Sequence, residues 1–201
     1  MASIPNDLDK VPISRLKRSF DIFFSLFVII ISSPLFIIIL LAIFIEHVLR
    51  GKFFVSLFYT EKRISQGQEF DFRKFNIFKS DVIKGLRQRG IFIFTKSLEH
   101  SDNSMTFVGN IIQKVYLDEL PQMFNILKGD ISAVGPRPVN IEVYKNNLEK
   151  GDRTKQVIKA GWTGPAQSSK GLSDHLSHYK LNTRYINYCL KNPSWKVVLL
   201  D

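Results

Sequence analysis

From Phe20 to Ile45 the chain is almost wholly apolar, interrupted only by Asp21, Ser25, Ser32, Ser33 and Pro34. A run of that length exceeds the roughly 20 residues a helix needs to cross a ~30 Å hydrocarbon core. It is also too long for a signal peptide and has no small-residue cleavage site. The segment is therefore expected to stay in the mature protein as a membrane anchor.

Pro34 falls near the middle of this run, where it removes a helix N–H and crowds the carbonyl four residues back. Ser32 and Ser33 can bond the carbonyls so released, and a bend is expected at Ser33 and Pro34. Lys10, Arg15, Lys17 and Arg18 precede the run, and Arg50, Lys52, Lys62 and Arg63 follow it. A simple spanning helix shows its basic excess mainly on one side. Two basic flanks around a central Ser-Pro favour a re-entrant helix-break-helix that enters and leaves the same leaflet, with an ordinary kinked span as the other reading. Asp21 is expected at interfacial depth, where a charge costs less than at the midplane.

The 201 residues leave room for the anchor, 1–50, and one domain of ordinary size, 51–201. Lys+Arg 28 against Asp+Glu 18 gives a net charge of +10, which favours anionic lipid, phosphorylated substrates or nucleic acid as partners. The single cysteine, Cys189, excludes an intrachain disulfide and leaves a structural zinc site without its usual thiolates. His175 and His178, three apart, are a weak metal signal. Aromatic and basic residues interleave, as in some nucleic-acid binders. No RRM, KH or zinc-finger pattern accompanies them, and nucleic acid is not an expected partner.

After Gly51 the chain reads as a small mixed α/β (α+β) domain. Phe70, Phe72 and Phe75, spaced by Asp71, Arg73 and Lys74, suggest a short strand with one buried face. The basic stretch that follows, with Lys79, Lys84, Arg87, Arg89 and Lys96, reads as loop. Phe53, Phe54, Leu57, Phe58 and Tyr59 suit either a core or a headgroup zone.

Leu117 to Asp130 reads as a short helix, with Pro121 in its first turn and Gly129 at its end. Asp118 and Glu119 then stand at the helix start, where carboxylates commonly serve only to cap free N–H groups. The run Ile131 to Pro138 follows, strand-like and ending in Gly135-Pro136-Arg137-Pro138. Two prolines restrain the backbone around one arginine, a setting that suits bidentate phosphate binding. A carboxylate nearby would serve as nucleophile or as ligand to Mg²⁺ on a pyrophosphate.

These motifs resemble the bacterial sugar transferase family, the monotopic polyprenyl-phosphate phosphoglycosyl transferases. The likeness runs from Lys17-Arg18-Ser19-Phe20-Asp21 through Lys62-Arg63 and Lys74-Phe75. It is most specific in Leu117 to Gln122, in Gly129 to Ser132 and in Val134 to Pro138, and it continues in Gly161-Trp162-Thr163-Gly164. The resemblance implies that Asp118 attacks the β-phosphate of a UDP-sugar with Glu119 as its partner, releasing UMP with Mg²⁺ assisting at Asp118. Polyprenyl (undecaprenyl) phosphate then attacks the phosphosugar intermediate. Lys74 and Arg137 fall at phosphate-contacting cations, and Gln122 and Arg63 are assigned to substrate binding. The setting it implies is the cytoplasmic face of the bacterial inner membrane, with membrane lipids as partners and self-association left open.

Three positions depart from the family pattern: Asn76 stands for an expected Arg after Lys-Phe, Gln113 for an Arg before the dyad, and Ala160 for Pro. Lys114 or Arg73 is a local substitute for the missing cations. The alternative function is a catalytically weakened, membrane-anchored homologue that binds lipid phosphate or recruits glycan enzymes.

Overall fold

The computed structural model describes residues 4–5, 8–53, 56–88, 98, 104–168 and 175–201. The architecture is mixed α/β behind a long apolar helix, α1 (Arg15–Leu49), which is 35 residues and about 52 Å long. The break expected at Ser33 and Pro34 is corrected: both lie inside this single continuous helix. A proline deletes one N–H donor and crowds one carbonyl, which bends a helix of strongly apolar neighbours without having to end it.

The chain forms two compact units. The first takes Met1–Ile30, Glu61–Phe72 and Gln122–Asp201, and the second Ile31–Thr60 and Arg73–Pro121. The hairpin β1 (Phe58–Ser65) and β2 (Gln68–Phe75) contributes to both, closed by Gln66 and Gly67 at φ 52° and 74°. Two successive left-handed residues form the turn that matches the twist of paired strands.

In the first unit, Phe70 and Phe72 of β2 pack with Met123, Ile126, Ile131 and Ala160 against Phe24, Val28 and Ile29 of α1. Strand β3 (Ser132–Val134) pairs in parallel with β4 (Gly161–Thr163), Ser132 opposite Gly161 and Val134 opposite Thr163. A Cβ on Gly161 would lie 2.0 Å from the Gly135 nitrogen, so only glycine lets these backbones meet. The helices α4 (Gln122–Lys128), α5 (Ile141–Glu149), α6 (Thr154–Val157), α7 (Pro165–Ser168), α8 (His175–Lys191) and α9 (Ser194–Leu200) complete this unit. Val157, Ile158, Tyr185 and Ile186 form a further cluster with Val11.

The opening of α1 is bolted to this unit by its polar residues. Lys17 pairs with Asp201, and Arg18 donates to the carbonyls of Ile126 and Leu127 at 2.6 and 2.5 Å. A guanidinium there satisfies the last carbonyls of α4 and opposes the negative end of its dipole. Asp21 is only 1 % exposed, and its Oδ1 accepts from Ser132 Oγ and Ala133 N, each at 2.9 Å. Two donors of β3 thus take the place of water at Asp21 Oδ1.

In the second unit, Ile39 and Ile43 of α1 pack with Tyr59, Phe75, Ile77, Phe78 and Ile112. The stretch read as loop after Phe75 contains α2 (Ser80–Gln88), anchored by Ile83 on that core. Ser80, Asp81, Val82, Ile83 and Gly85 are weak helix formers, so the packing of Ile83 on the core, and not local propensity, holds this helix. Arg89 and Lys96 lie outside the described residues, as does Phe54. Of the aromatic cluster beyond the anchor, Tyr59 is buried whereas Phe53 and Phe58 are exposed.

The helix expected from Leu117 is two pieces, a 3₁₀ turn (Leu117–Glu119) and then α4, with Pro121 at the junction. Pro121 cannot donate to the Leu117 carbonyl, which instead accepts from Leu120 N at 3.2 Å. Gly129, at φ 91°, ends α4 as its position predicted.

Candidate active site

Lys74, Asp118 and Glu119 are buried together in the second unit. Lys74 Nζ lies 3.2 Å from Asp118 Oδ2 and 3.2 Å from Glu119 Oε1. The lysine comes from the end of β2. Its neighbour Phe75 is fully buried on the opposite face, with ring centroids 4.7 Å from Phe36 and 5.8 Å from Phe58. That wedge fixes which way the strand end faces, and the two-residue period then turns Lys74 toward the carboxylates.

Asn76 extends the same support. Its Nδ2 donates to Ser56 O at 2.8 Å and its Oδ1 accepts from Phe78 N at 3.3 Å. The residue that departs from the family's arginine here ties the strand exit to the segment entering β1.

The carboxylates reach the site through α3 (Phe107–Lys114). Thr106 caps it by accepting from Gly109 N at 2.9 Å. A Cβ on Gly109 would lie 2.3 Å from the Ile77 carbonyl, so glycine seats the helix directly on the backbone following β2. After α3 the chain turns at Tyr116, a non-glycine residue at φ 59° and ψ 19°. That costly conformation reverses the backbone into the 3₁₀ turn, where Glu119 N donates to Tyr116 O at 3.3 Å.

One ammonium thus sits between two consecutive carboxylates, in surroundings where water screens them weakly. A point 3.2 Å from oxygens of both acids already holds a cation, so the pair converges on positive charge. Among the described residues no group of three or more His, Cys, Asp or Glu could hold a metal. Two carboxylates nevertheless fit Mg²⁺, which takes one or two from protein and the rest from substrate phosphate and water.

The remaining expected site residues belong to the first unit. Arg137 is exposed between the buried Pro136 and Pro138. Its turn is held by Gly135 N donating to Thr163 O at 2.9 Å and Gly161 N donating to Pro136 O at 3.0 Å. Arg63 donates from Nη1 to Pro138 O at 2.9 Å and from Nε to Glu61 Oε1 at 2.6 Å, its guanidinium 4.9 Å from the Phe72 ring centroid. The Arg63 side chain therefore braces the arginine-bearing turn. Gln122 is buried, and its Nε2 has no partner among the described residues.

Lys17, Arg18 and Asp21 read from the sequence as flank and interface markers and as part of the family resemblance, without a contact assigned to them. Their i, i+1, i+4 spacing on one helix was the available signal that they face a common partner. Ala160 has a visible reason to differ from proline: its N–H donates to Ser65 Oγ at 3.1 Å, a bond proline lacks. Gln113 is half-buried on α3, and its carbonyl accepts from Tyr116 N at 3.1 Å.

The model of the bacterial sugar transferase family matches residues 13–199, and the chain belongs to that family. The chain is 34% identical over 174 residues to the undecaprenyl-phosphate galactose phosphotransferase of Salmonella typhimurium, covering 83% of this chain and 35% of the relative. It is 28% identical over 193 residues to the UDP-N-acetylgalactosamine-undecaprenyl-phosphate N-acetylgalactosaminephosphotransferase of Aeromonas hydrophila, covering 92% and 41%. The exopolysaccharide production protein ExoY of Sinorhizobium fredii is 32% identical over 162 residues, covering 73% and 67%. The chain thus spans from about a third to two thirds of the length of these relatives.

Proposed function

We propose that this chain transfers a sugar phosphate from a UDP-sugar to undecaprenyl phosphate, giving the polyprenyl-diphosphate-sugar and UMP. The observation that carries the reading is the convergence of Asp118 and Glu119 on Lys74 in a bacterial sugar transferase. The relatives' names point to the acceptor, and one of them to a UDP-linked donor.

A carboxylate oxygen of Asp118 attacks the β-phosphorus of the donor, and the bond from that phosphorus to the bridging oxygen breaks. UMP leaves with the electron pair, and a phosphosugar remains on Asp118 as a mixed anhydride. A phosphate oxygen of the lipid then attacks the same phosphorus and returns Asp118 as carboxylate. Lys74 orients Asp118 and offsets its charge while the phosphate approaches. Glu119 shares that ammonium, and the planar fork of Arg137 suits bidentate binding of a phosphate. Mg²⁺, held by Asp118 and Glu119, would neutralise phosphate charge when bound.

The reading includes a re-entrant α1 with both ends on the cytoplasmic face. Two features support it: the basic flanks, and the packing of soluble elements on each half of the helix. Lys17, Asp21 and Ser25 are buried on one half, and Ile39, Ile43 and His47 on the other.

The test is UMP release by purified full chain across a panel of UDP-sugars with Mg²⁺. Without lipid, about one equivalent of UMP is expected as a burst, followed by turnover once undecaprenyl phosphate is added. Lipid-dependent release without a phosphosugar adduct on Asp118 would overturn the covalent route. No release with any donor, lipid included, would leave the anchored, non-catalytic homologue instead.

A further inference from the structure

Where α1 ends, the second unit encloses a pocket of about 340 Å³ lined by His47, Arg50, Lys52, Lys79, Ser80, Asp81 and Thr106. None of Lys74, Asp118 or Glu119 lines it. Its walls carry three fixed cations against the single carboxylate of Asp81. The N-terminus of α2 opens at Ser80 on this wall, adding the partial positive charge of a helix start.

His47 is 2 % exposed, and its Nδ1 stands 2.8 Å from the Ile43 carbonyl. A carbonyl only accepts, so Nδ1 carries the hydrogen of that bond. The other ring nitrogen, Nε2, has no partner among the described residues, and neither has the buried Ser80 Oγ. Leaving two buried polar atoms unmet is costly, and a ligand that bonds both removes the cost.

Of the two nearby acids, Glu46 is committed elsewhere and Asp81 lines the pocket beside Lys52. Glu46 accepts from Phe107 N and Val108 N, each at 2.8 Å, and from Arg50 Nη2 at 2.7 Å, so the start of α3 is already capped. Asp81 pairs with Lys52 at 2.9 Å in an exposed contact that water screens. The pocket lies just past Ile45, where the apolar run stops, and Leu41, Phe44, Ile45 and Leu49 in the last turns of α1 are exposed. At that depth the abundant oxyanion is the phosphate of a lipid headgroup, whose acyl chains have this apolar face to lie along.

We propose that this pocket is a binding site for the phosphoryl headgroup of an anionic membrane lipid, separate from the Lys74 centre. The ammonium groups of Lys52 and Lys79 and the Ser80 hydroxyl donate to the phosphate oxygens. His47 Nε2 joins them as a donor in the imidazolium form, or meets a headgroup hydroxyl as an acceptor in the neutral form.

The experiment uses full chain in nanodiscs of phosphatidylcholine containing phosphatidylglycerol, with native mass spectrometry of the lipid retained on release. Wild type is expected to retain phosphatidylglycerol preferentially. Lys52→Gln, at a half-exposed side chain that does not endanger folding, lowers retention about fivefold, and Lys52→Gln with Lys79→Gln about 30-fold. Lys150→Gln, which removes an exposed charge of the first unit, leaves retention unchanged. A competition arm with inorganic phosphate distinguishes the sources: weak displacement supports the lipid headgroup. Displacement by inorganic phosphate without any preference for phosphatidylglycerol overturns it. Retention unaffected by the Lys52 and Lys79 variants, or lost equally in Lys150→Gln, also overturns it.

Discussion

Lys74 and Asp118 stand 44 residues apart in the chain, yet Nζ of one is 3.2 Å from Oδ2 of the other in a buried contact. Removing one partner of such a pair strands the opposite charge, which costs more than the intact pair contributes. Lys74→Met is therefore expected to destabilise the protein by about 3–5 kcal/mol and to abolish UMP release. Asp118→Asn, which leaves Glu119 to Lys74, should cost less stability yet lower turnover at least about a thousandfold. Thermal unfolding beside UMP assays separates the two. Equal melting losses with partial activity in both would contradict the assigned roles.

Arg137 is exposed on a turn fixed by two prolines, so changing its side chain leaves the packing intact. Arg137→Lys keeps the charge but not the fork, and kcat/KM is expected to fall about 10- to 100-fold with an unchanged melting temperature. Wild-type kinetics in this variant would remove Arg137 from the phosphate site.

Asp21 accepts two hydrogen bonds from β3 in a place that water does not reach. Asp21→Ala leaves the Ala133 N–H and Ser132 hydroxyl unmet, a loss of about 2–5 kcal/mol. Asp21→Asn, which keeps an acceptor oxygen, should lose less. Thermal unfolding in detergent measures both, and an Asp21→Ala protein as stable as wild type would contradict the bolting of α1 to β3.

Burial of Lys155 in α6 pulls its pKa down to about 8, only partly countered by Asp152. Between about pH 8 and the ordinary lysine value the unfolded chain binds a proton that the folded chain has shed, so stability rises with pH across that window. The full effect is up to about 3 kcal/mol. Lys155→Met is expected to be the more stable protein at pH 7, with the two melting curves converging as the pH is raised toward 10. Parallel curves over that range would show that Lys155 keeps its proton.

For the orientation of α1, cysteines at Ser14 and Ser56 in a Cys189→Ala background should both label from the cytoplasmic side. Pro34→Leu, which restores the missing N–H, is expected to carry Ser14 across in a fraction of molecules. Labelling of Ser14→Cys from outside in the otherwise native helix would rule out the re-entrant form.

The sequence by itself determined the apolar helix, because its length and composition admit no other element, and the dyad and Gly-Pro-Arg-Pro motifs, because they are contiguous. It also located β2, whose alternating phenylalanines mark a buried face, and the end of α4 at Gly129. It could not show that Pro121 divides the dyad turn from α4, since that depends on which carbonyl loses its donor. Nor did it reveal that Arg63 braces the Arg137 turn or that Asp21 serves β3. Each is a single polar contact between segments distant in the chain and leaves no periodicity. Only the tertiary structure decided that Lys74 is the residue between Asp118 and Glu119. That choice rests on Phe75 being wedged against Phe36 and Phe58, on Gly109 seating α3 against Ile77, and on the left-handed turn at Tyr116. Side-chain direction at a strand end is set by what the opposite face is packed against, and no local pattern contains that information.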